Sequence, residues 1–142
     1  MMLRVLVPVL AMVVSLQGPG AARAADAQIV DHSGKWESGY GATFYNVVGT
    51  VKNTGDGPLA YVVLQVSALD GTGQVIGTTR AFNESAEILS LPGMTPDEAT
   101  AKGKLTPFAP GTTQRFRASF LKEDAPGLTG HRVEVAKAVA GD

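Results

Sequence analysis

Residue types that perform catalysis or bind metals are sparse in this 142-residue chain, and those present are scattered. Cysteine is absent, which excludes a thiolate nucleophile, a disulfide and a cysteine-bound metal. The two histidines, His32 and His131, lie near opposite ends of the chain, whereas a metal site needs several His, Asp or Glu side chains together. Ser33 follows His32 directly, but neighbouring strand residues point to opposite faces and form no dyad. We therefore expect no catalytic residues, no metal site and no cofactor.

The segment Asp70-Gly71-Thr72-Gly73 is the closest approach to a cation-binding motif. It lacks both the acidic residues at alternate positions and the bidentate glutamate of a calcium loop. Asp accepts hydrogen bonds from the backbone that follows it, and Gly adopts positive φ without strain. The segment is therefore predicted to be a hairpin turn.

Two groups of residues remain as candidates for contact with a partner. Trp36 and Tyr40 lie beside a glycine-containing turn, and exposed aromatic side chains are common at recognition sites. Packing within the protein is the alternative reading of both rings. The second group, Met94, Asp97 and Glu98, lies in a long connection between strands, and such connections are usually functional or disordered.

That connection runs from about residue 83 to 110 and contains one helix signal. Thr95 suits the N-cap, Pro96 the first helical position, Glu98 a capping box and Gly103 the stop. We expect one or two helical turns over residues 95–103.

Period-two alternation dominates the rest of the chain after the first 24 residues. Residues 45, 47, 49 and 51 form one predicted inward face, and a half-buried strand is predicted where Phe116, Ala118 and Phe120 alternate with polar residues. The run from residue 59 to 70 is apolar on one face and mixed on the other, which predicts a central strand with a partly covered back. Short strands separated by glycine-rich turns predict an all-β fold, an antiparallel β-sandwich of about seven strands with one short helix in a long loop.

The N-terminus has the pattern of a secretory signal. A basic start containing Arg4 precedes the apolar run Val5–Leu16, and Ala22-Arg23-Ala24 fits a cleavage site. Twelve helical residues reach only about 18 Å, too short for a membrane core of about 30 Å. We expect a signal peptide over residues 1–24, one domain over 25–142, a periplasmic or extracellular location and no stable membrane insertion. The formal net charge of −1 gives no basis for nucleic-acid binding.

Four segments between Phe44 and Phe120 resemble the bacterial FxLYD domain family of exported or membrane-anchored immunoglobulin-like sandwiches. They are Val47-x-Gly49-x-Val51-x-Asn53, Asp70-x-x-Gly73-x-Val75-x-Gly77-Thr78, Leu105-x-Pro107-x-x-Pro110-Gly111 and Phe116-x-x-x-Phe120. At the position of the family's Phe-x-Leu-Tyr-Asp, this chain has Val66-Ser67-Ala68-Leu69-Asp70, which keeps only the aspartate. The resemblance implies the sandwich fold and no catalytic residues.

These observations favour a non-catalytic exported module. We expect it to contact an unknown protein partner or to serve as a structural component of the bacterial envelope, using the 83–110 connection or a sheet edge. The alternative is a small-ligand or carbohydrate-binding domain that uses the Trp36 and Tyr40 end. Joint exposure of these two rings beside a cleft would favour the alternative, and a flat surface would favour protein contact.

Overall fold

A computed structural model of the protein describes residues 26–90, 95, 98, 103 and 106–141. The predicted signal peptide and the candidate residues Met94 and Asp97 lie outside this part of the chain. The described elements are β1 (Ala27–Gly39), β2 (Ala42–Asn53), β3 (Leu59–Leu69), β4 (Val75–Phe82), α1 (Glu84–Ser90), β5 (Thr113–Leu121), a 3-10 turn (Lys122–Asp124) and β6 (Gly130–Ala140).

The strands form two antiparallel three-stranded sheets, ordered β1-β2-β5 and β4-β3-β6. This arrangement corresponds to strands A-B-E and C′-C-F of an immunoglobulin sandwich. The prediction of an all-β sandwich is confirmed, with six strands among the described residues rather than about seven. β3 is the central strand of its sheet, as its two-sided apolar pattern predicts.

Alternating residues from both sheets build the core between them. The predicted inward face of β2 is buried, and so are the predicted apolar positions of β3 and β5, because successive strand side chains point to opposite faces. The main core residues of these three strands are Tyr45, Val47, Val51, Val62, Leu64, Val66, Ala68, Phe116, Ala118 and Phe120.

The helix α1 begins directly after β4, in a part of the connection where the sequence analysis places no helix. Ala86 is fully buried against the outer face of β3, beside Tyr61 and Val63. The cap comes from a distant strand, because the Ser85 backbone N–H donates to the side-chain oxygen of Gln114 at 3.0 Å. A tertiary cap of this kind has no local sequence signature.

The capping box predicted further along the connection is present. The Thr95 backbone N–H donates to Glu98 Oε1 at 2.9 Å, and the Glu98 N–H donates to Thr95 Oγ1 at 3.1 Å. Glu98 is helical, and Gly103 has a φ of 65°, which suits a helix stop.

The turn after β3 has the hydrogen bonds predicted for it. Asp70 Oδ1 accepts from the backbone N–H of Thr72 at 2.8 Å and from that of Gln74 at 3.0 Å, and Gly73 has a φ of 85°. The acidic side chain therefore organises a hairpin.

None of the helices in the described part of the chain is long and apolar enough to cross a membrane.

Candidate functional site

A β-bulge in β1 decides which side chains of that strand face the other sheet. Ile29 pairs with Val51 and Asp31 with Thr50, so one extra residue, Val30, is inserted between them. Residues 27 and 29 face the core before the bulge, whereas residues 32, 34 and 36 lie opposite the core-facing positions of β2 after it. The bulge therefore turns His32, Gly34 and Trp36 to the inner side of the sheet.

This change of face brings the two histidines of the chain together. β6 presents His131, Val133 and Val135 on its inner side, opposite alternate core residues of β3. His32 Nδ1 lies 2.8 Å from His131 Nε2, and the ring centroids are 4.9 Å apart. The pair joins β1 of one sheet to β6 of the other. Their separation in sequence was a wrong guide to their position.

Tyr45 continues this cluster into the core. Its hydroxyl lies 2.9 Å from His131 Nδ1, so one imidazole contacts both the phenol and the second imidazole. When His131 Nδ1–H donates to the phenol oxygen, His131 Nε2 accepts from His32. When the phenol donates, His131 Nε2–H donates to His32 Nδ1. Both hydrogen bonds of His131, to Tyr45 and to His32, can therefore form in either of the two proton arrangements.

The phenol of Tyr45 is held by contacts on two sides. A Cβ added at Gly34 would lie 2.4 Å from the Tyr45 hydroxyl oxygen, so the ring fits only because Gly34 has no side chain. Trp36 packs edge-on against the ring, with centroids 5.3 Å apart. Burial raises the pKa of the Tyr45 hydroxyl, which therefore stays protonated at neutral pH.

Trp36, which packs against Tyr45, lines a cleft of about 420 Å³. The opposite wall is the segment after β5, including Ala125, Pro126 and Leu128, and the charged residues Lys122 and Glu123 complete the lining. Trp36 is 42% exposed, so part of its ring is accessible where it lines the cleft. An aromatic side chain beside a concave apolar wall can bind an apolar or ring-shaped group.

The other predicted site residues lie away from this cleft. Tyr40 is fully exposed in the two-residue turn between β1 and β2, where it has a φ of 53°, and it is not part of the cleft lining. Glu98 caps its own helix through Thr95. The two rings are therefore not exposed together beside a cleft, because Trp36 lines this one and Tyr40 does not.

Sequence reasoning missed His32, His131 and Tyr45 as a group. One signal was available, because His131 alternates with Val133 and Val135 and so belongs to the apolar face of its strand. No comparable signal exists for His32, since the bulge reverses the alternation before it.

A second cleft, of about 370 Å³, lies between α1 and β5. Arg115 and Arg117 line it, together with Glu84 and Glu87 on α1. Two arginines of β5 and two glutamates of α1 therefore border the same cleft.

Acidification is expected to weaken the fold through His131. Burial lowers the pKa of this histidine, and repulsion from His32 lowers it further. The folded state then binds fewer protons than the unfolded state once the pH falls below about 6.5. The free energy of unfolding should therefore be largest above about pH 7 and decrease as the pH falls from there towards the folded pKa.

Urea denaturation at a series of pH values between 8 and 5 measures this effect. His131→Gln should flatten the decrease in this range. Asp70 and Glu37 do not obscure it, because hydrogen bonds from Thr72 and Asn46, respectively, lower the pKa of each carboxyl below its ordinary value. Equal pH profiles for wild type and variant would contradict the expectation.

Comparison of the chain with protein-family models, with curated proteins and with solved structures finds no match.

Proposed function

We propose that this protein is an exported, non-catalytic immunoglobulin-like module that contacts a partner protein through the Trp36 cleft. The observation that carries the proposal is a tryptophan that is 42% exposed, packs edge-to-face against Tyr45 and lines a cleft together with the segment after β5. The partner would insert an apolar side chain between Trp36 and the wall formed by Pro126 and Leu128.

The chemistry of the cleft supports protein contact. Tryptophan is among the residues most enriched at the energetic centres of protein interfaces, and such centres are rimmed by polar groups. Trp36 and the exposed Pro126 supply the apolar centre here, while Lys122 and Glu123 supply charges of both signs beside it. Because Trp36 packs against Tyr45, little side-chain entropy remains to be lost when a partner binds.

The cleft serves better as the contact surface than the connection at residues 83–110. Glu98, the described candidate in that connection, holds the backbone of Thr95, which is a structural task. Trp36 also packs against Tyr45, but it is 42% exposed, so part of its ring is available to a partner.

The second candidate function is binding of a carbohydrate or another small ligand at the same place. It is favoured by the position of Trp36 beside a cleft, because an aromatic ring can stack on the apolar face of a sugar. It is weakened by the scarcity of polar side chains in the lining, since sugar hydroxyls need several hydrogen-bond partners. Tyr40, which would have supplied a second ring, lies elsewhere.

The proposal also includes export of the protein and its membership of the FxLYD family. The signal-like pattern of residues 1–24 supports a periplasmic or extracellular module. The four segments that resemble the FxLYD family support the same reading. Two of these segments meet in space, because the Asn53 side chain donates to the Phe108 carbonyl at 2.8 Å and the Gly111 N–H donates to the Asn53 carbonyl at 2.8 Å.

Site-specific photo-crosslinking in the producing cell tests the proposal. A benzophenone amino acid replaces Trp36 in one variant and Lys52, an exposed residue of β2, in the control. A defined protein adduct formed from position 36 and not from position 52 is expected. Equal adducts from both positions, or none from position 36, would overturn protein contact at the cleft. Quenching of the fluorescence of Trp36, the single tryptophan, by oligosaccharides would instead establish the alternative.

The substitution Trp36→Ala is expected to weaken binding of the crosslinked partner by roughly 30-fold or more, which corresponds to about 2 kcal/mol at an interface centre. Titration of the purified partner measures the change. Tyr40→Asn is the matched control, because asparagine tolerates positive φ and removes only the ring. It should bind like wild type, and an equal loss in both variants would assign the contact to the hairpin rather than to the cleft.

A further inference from the structure

The His32–His131 pair brings two ring nitrogens, from strands of different sheets, to 2.8 Å from each other in a hydrogen bond. Two imidazoles bound to one ion, with metal–nitrogen distances of about 2.0–2.1 Å and angles of about 90–109°, hold their nitrogens about 2.8–3.4 Å apart. The observed spacing lies at the lower end of that range, and the rings must turn so that both lone pairs meet at the ion. The exposed side chain of His32 can provide the small adjustment.

We propose that His32 Nδ1 and His131 Nε2 bind a divalent transition-metal ion, with Cu²⁺ preferred over Zn²⁺ and Ni²⁺. The ion lies to one side of the line between the two nitrogens and replaces their hydrogen bond. Each ring stays neutral and keeps its proton on the nitrogen that does not bind the ion, Nε2 of His32 and Nδ1 of His131, and water occupies the remaining coordination positions. Imidazole suits all three metals, and a site without a rigid geometry follows the general affinity order in which Cu²⁺ is highest. This site is independent of the contact proposed at the Trp36 cleft.

The surroundings of His131 match those of a metal ligand. Such histidines nearly always donate their second ring N–H to an acceptor that fixes the tautomer. His131 Nδ1 lies 2.9 Å from the hydroxyl of Tyr45, which can accept this proton and leave the Nε2 lone pair directed at His32. Tyr45 is in turn held by Gly34 and Trp36, so the orientation is set before an ion arrives.

The protein supplies two ligands, and the remaining positions stay open. No group of three or more His, Cys, Asp or Glu side chains capable of holding a metal occurs in the part of the chain that the structure describes. An open, two-imidazole site binds its ion reversibly. It also links β1 to β6 directly, so a bound ion should stabilise the association of the two sheets.

Electron paramagnetic resonance of the protein with one equivalent of CuCl₂ tests the site. The protein is prepared without a histidine tag, so the two natural histidines are its only imidazoles. Nitrogen hyperfine structure from two imidazoles is expected. Isothermal titration should give one Cu²⁺ per chain, with binding weakened at least about tenfold in His32→Gln and in His131→Gln. An unchanged spectrum and affinity in the double variant would overturn the proposal, because any binding would then be adventitious.

Two further measurements separate a metal site from a structural hydrogen bond. Cu²⁺ or Zn²⁺ should raise the thermal unfolding midpoint of the wild type and leave that of the double variant unchanged, since an ion that binds only the folded state stabilises it. Tyr45→Phe keeps both ligands and removes the acceptor for Nδ1–H, so it should retain the two-nitrogen spectrum with weaker binding. His32→Gln changes an exposed residue and leaves the core intact. This variant should lose the two-nitrogen spectrum, and the loss could not then be attributed to unfolding. Metal-independent midpoints in the wild type would contradict the proposal.

Discussion

The substitution Val62→Asp is expected to abolish stable folding. Val62 is fully buried at the centre of β3, and its backbone N–H donates to the buried side chain of Asn83 at 2.8 Å. A carboxylate placed there has no cation to pair with on the apolar face of the core. An uncompensated buried charge costs about 3–5 kcal/mol or more, a large part of the 5–15 kcal/mol by which domains are typically stable. Chemical denaturation followed by circular dichroism measures the loss.

Gln65→Asp is the matched control, because it introduces the same carboxylate into the same strand at an exposed position. It should change the free energy of unfolding by no more than about 1 kcal/mol, the span of strand propensities. Similar unfolding midpoints for the two variants would show that the faces of β3 have been assigned wrongly.

The substitution Gly49→Ala is expected to destabilise the fold nearly as strongly and to disturb the bulge of β1. A Cβ at this buried position would lie 2.4 Å from the backbone oxygen of Asp31 and 2.5 Å from Cζ of Phe116. One of these neighbours is backbone, so the strand itself must move. Overpacking of a core costs about 1–3 kcal/mol and occasionally more, and we expect a loss of about 3 kcal/mol or more here.

Gly77→Ala tests whether the loss comes from the close approach. Gly77 also lies within a strand, and an added Cβ would have no atom within 4 Å. This variant should be neutral or slightly more stable, because alanine loses less backbone entropy on folding. Equal losses at both glycines would point to a general intolerance of side chains rather than to contact with Asp31.

Because Asp31 precedes His32, Gly49→Ala should also weaken Cu²⁺ binding.

Much of the fold could be read from local patterns. The alternation in β2, β3 and β5 predicts the buried faces correctly, since side chains of a strand alternate between two environments. Asp70 and Gly73 predict their turn, and Thr95 with Glu98 predicts its capping box, because in each case the hydrogen-bonding groups lie within four residues. Trp36 could be proposed as a contact residue because it is aromatic and lies beside a glycine-containing turn. Its cleft could not be predicted, because the opposite wall is the segment after β5.

The helix α1 and the inner face of β1 could not be read in this way. The N-terminus of α1 is satisfied by Gln114, 29 residues from Ser85. The face of His32 depends on one inserted residue, Val30, and that insertion is accommodated where the Asp31 carbonyl passes over Gly49. Both features depend on partners that are distant in the chain.

The sequence by itself determined an all-β chain with a two-sided central strand, its turns and the residues of its core, because these follow from alternation and from hydrogen bonds between near neighbours. Only the tertiary structure decided that His32, His131 and Tyr45 form one cluster and that Trp36 borders a cleft. The physical reason is that side chains from strands of different sheets meet only after strand register and the bulge have been set by packing across the core.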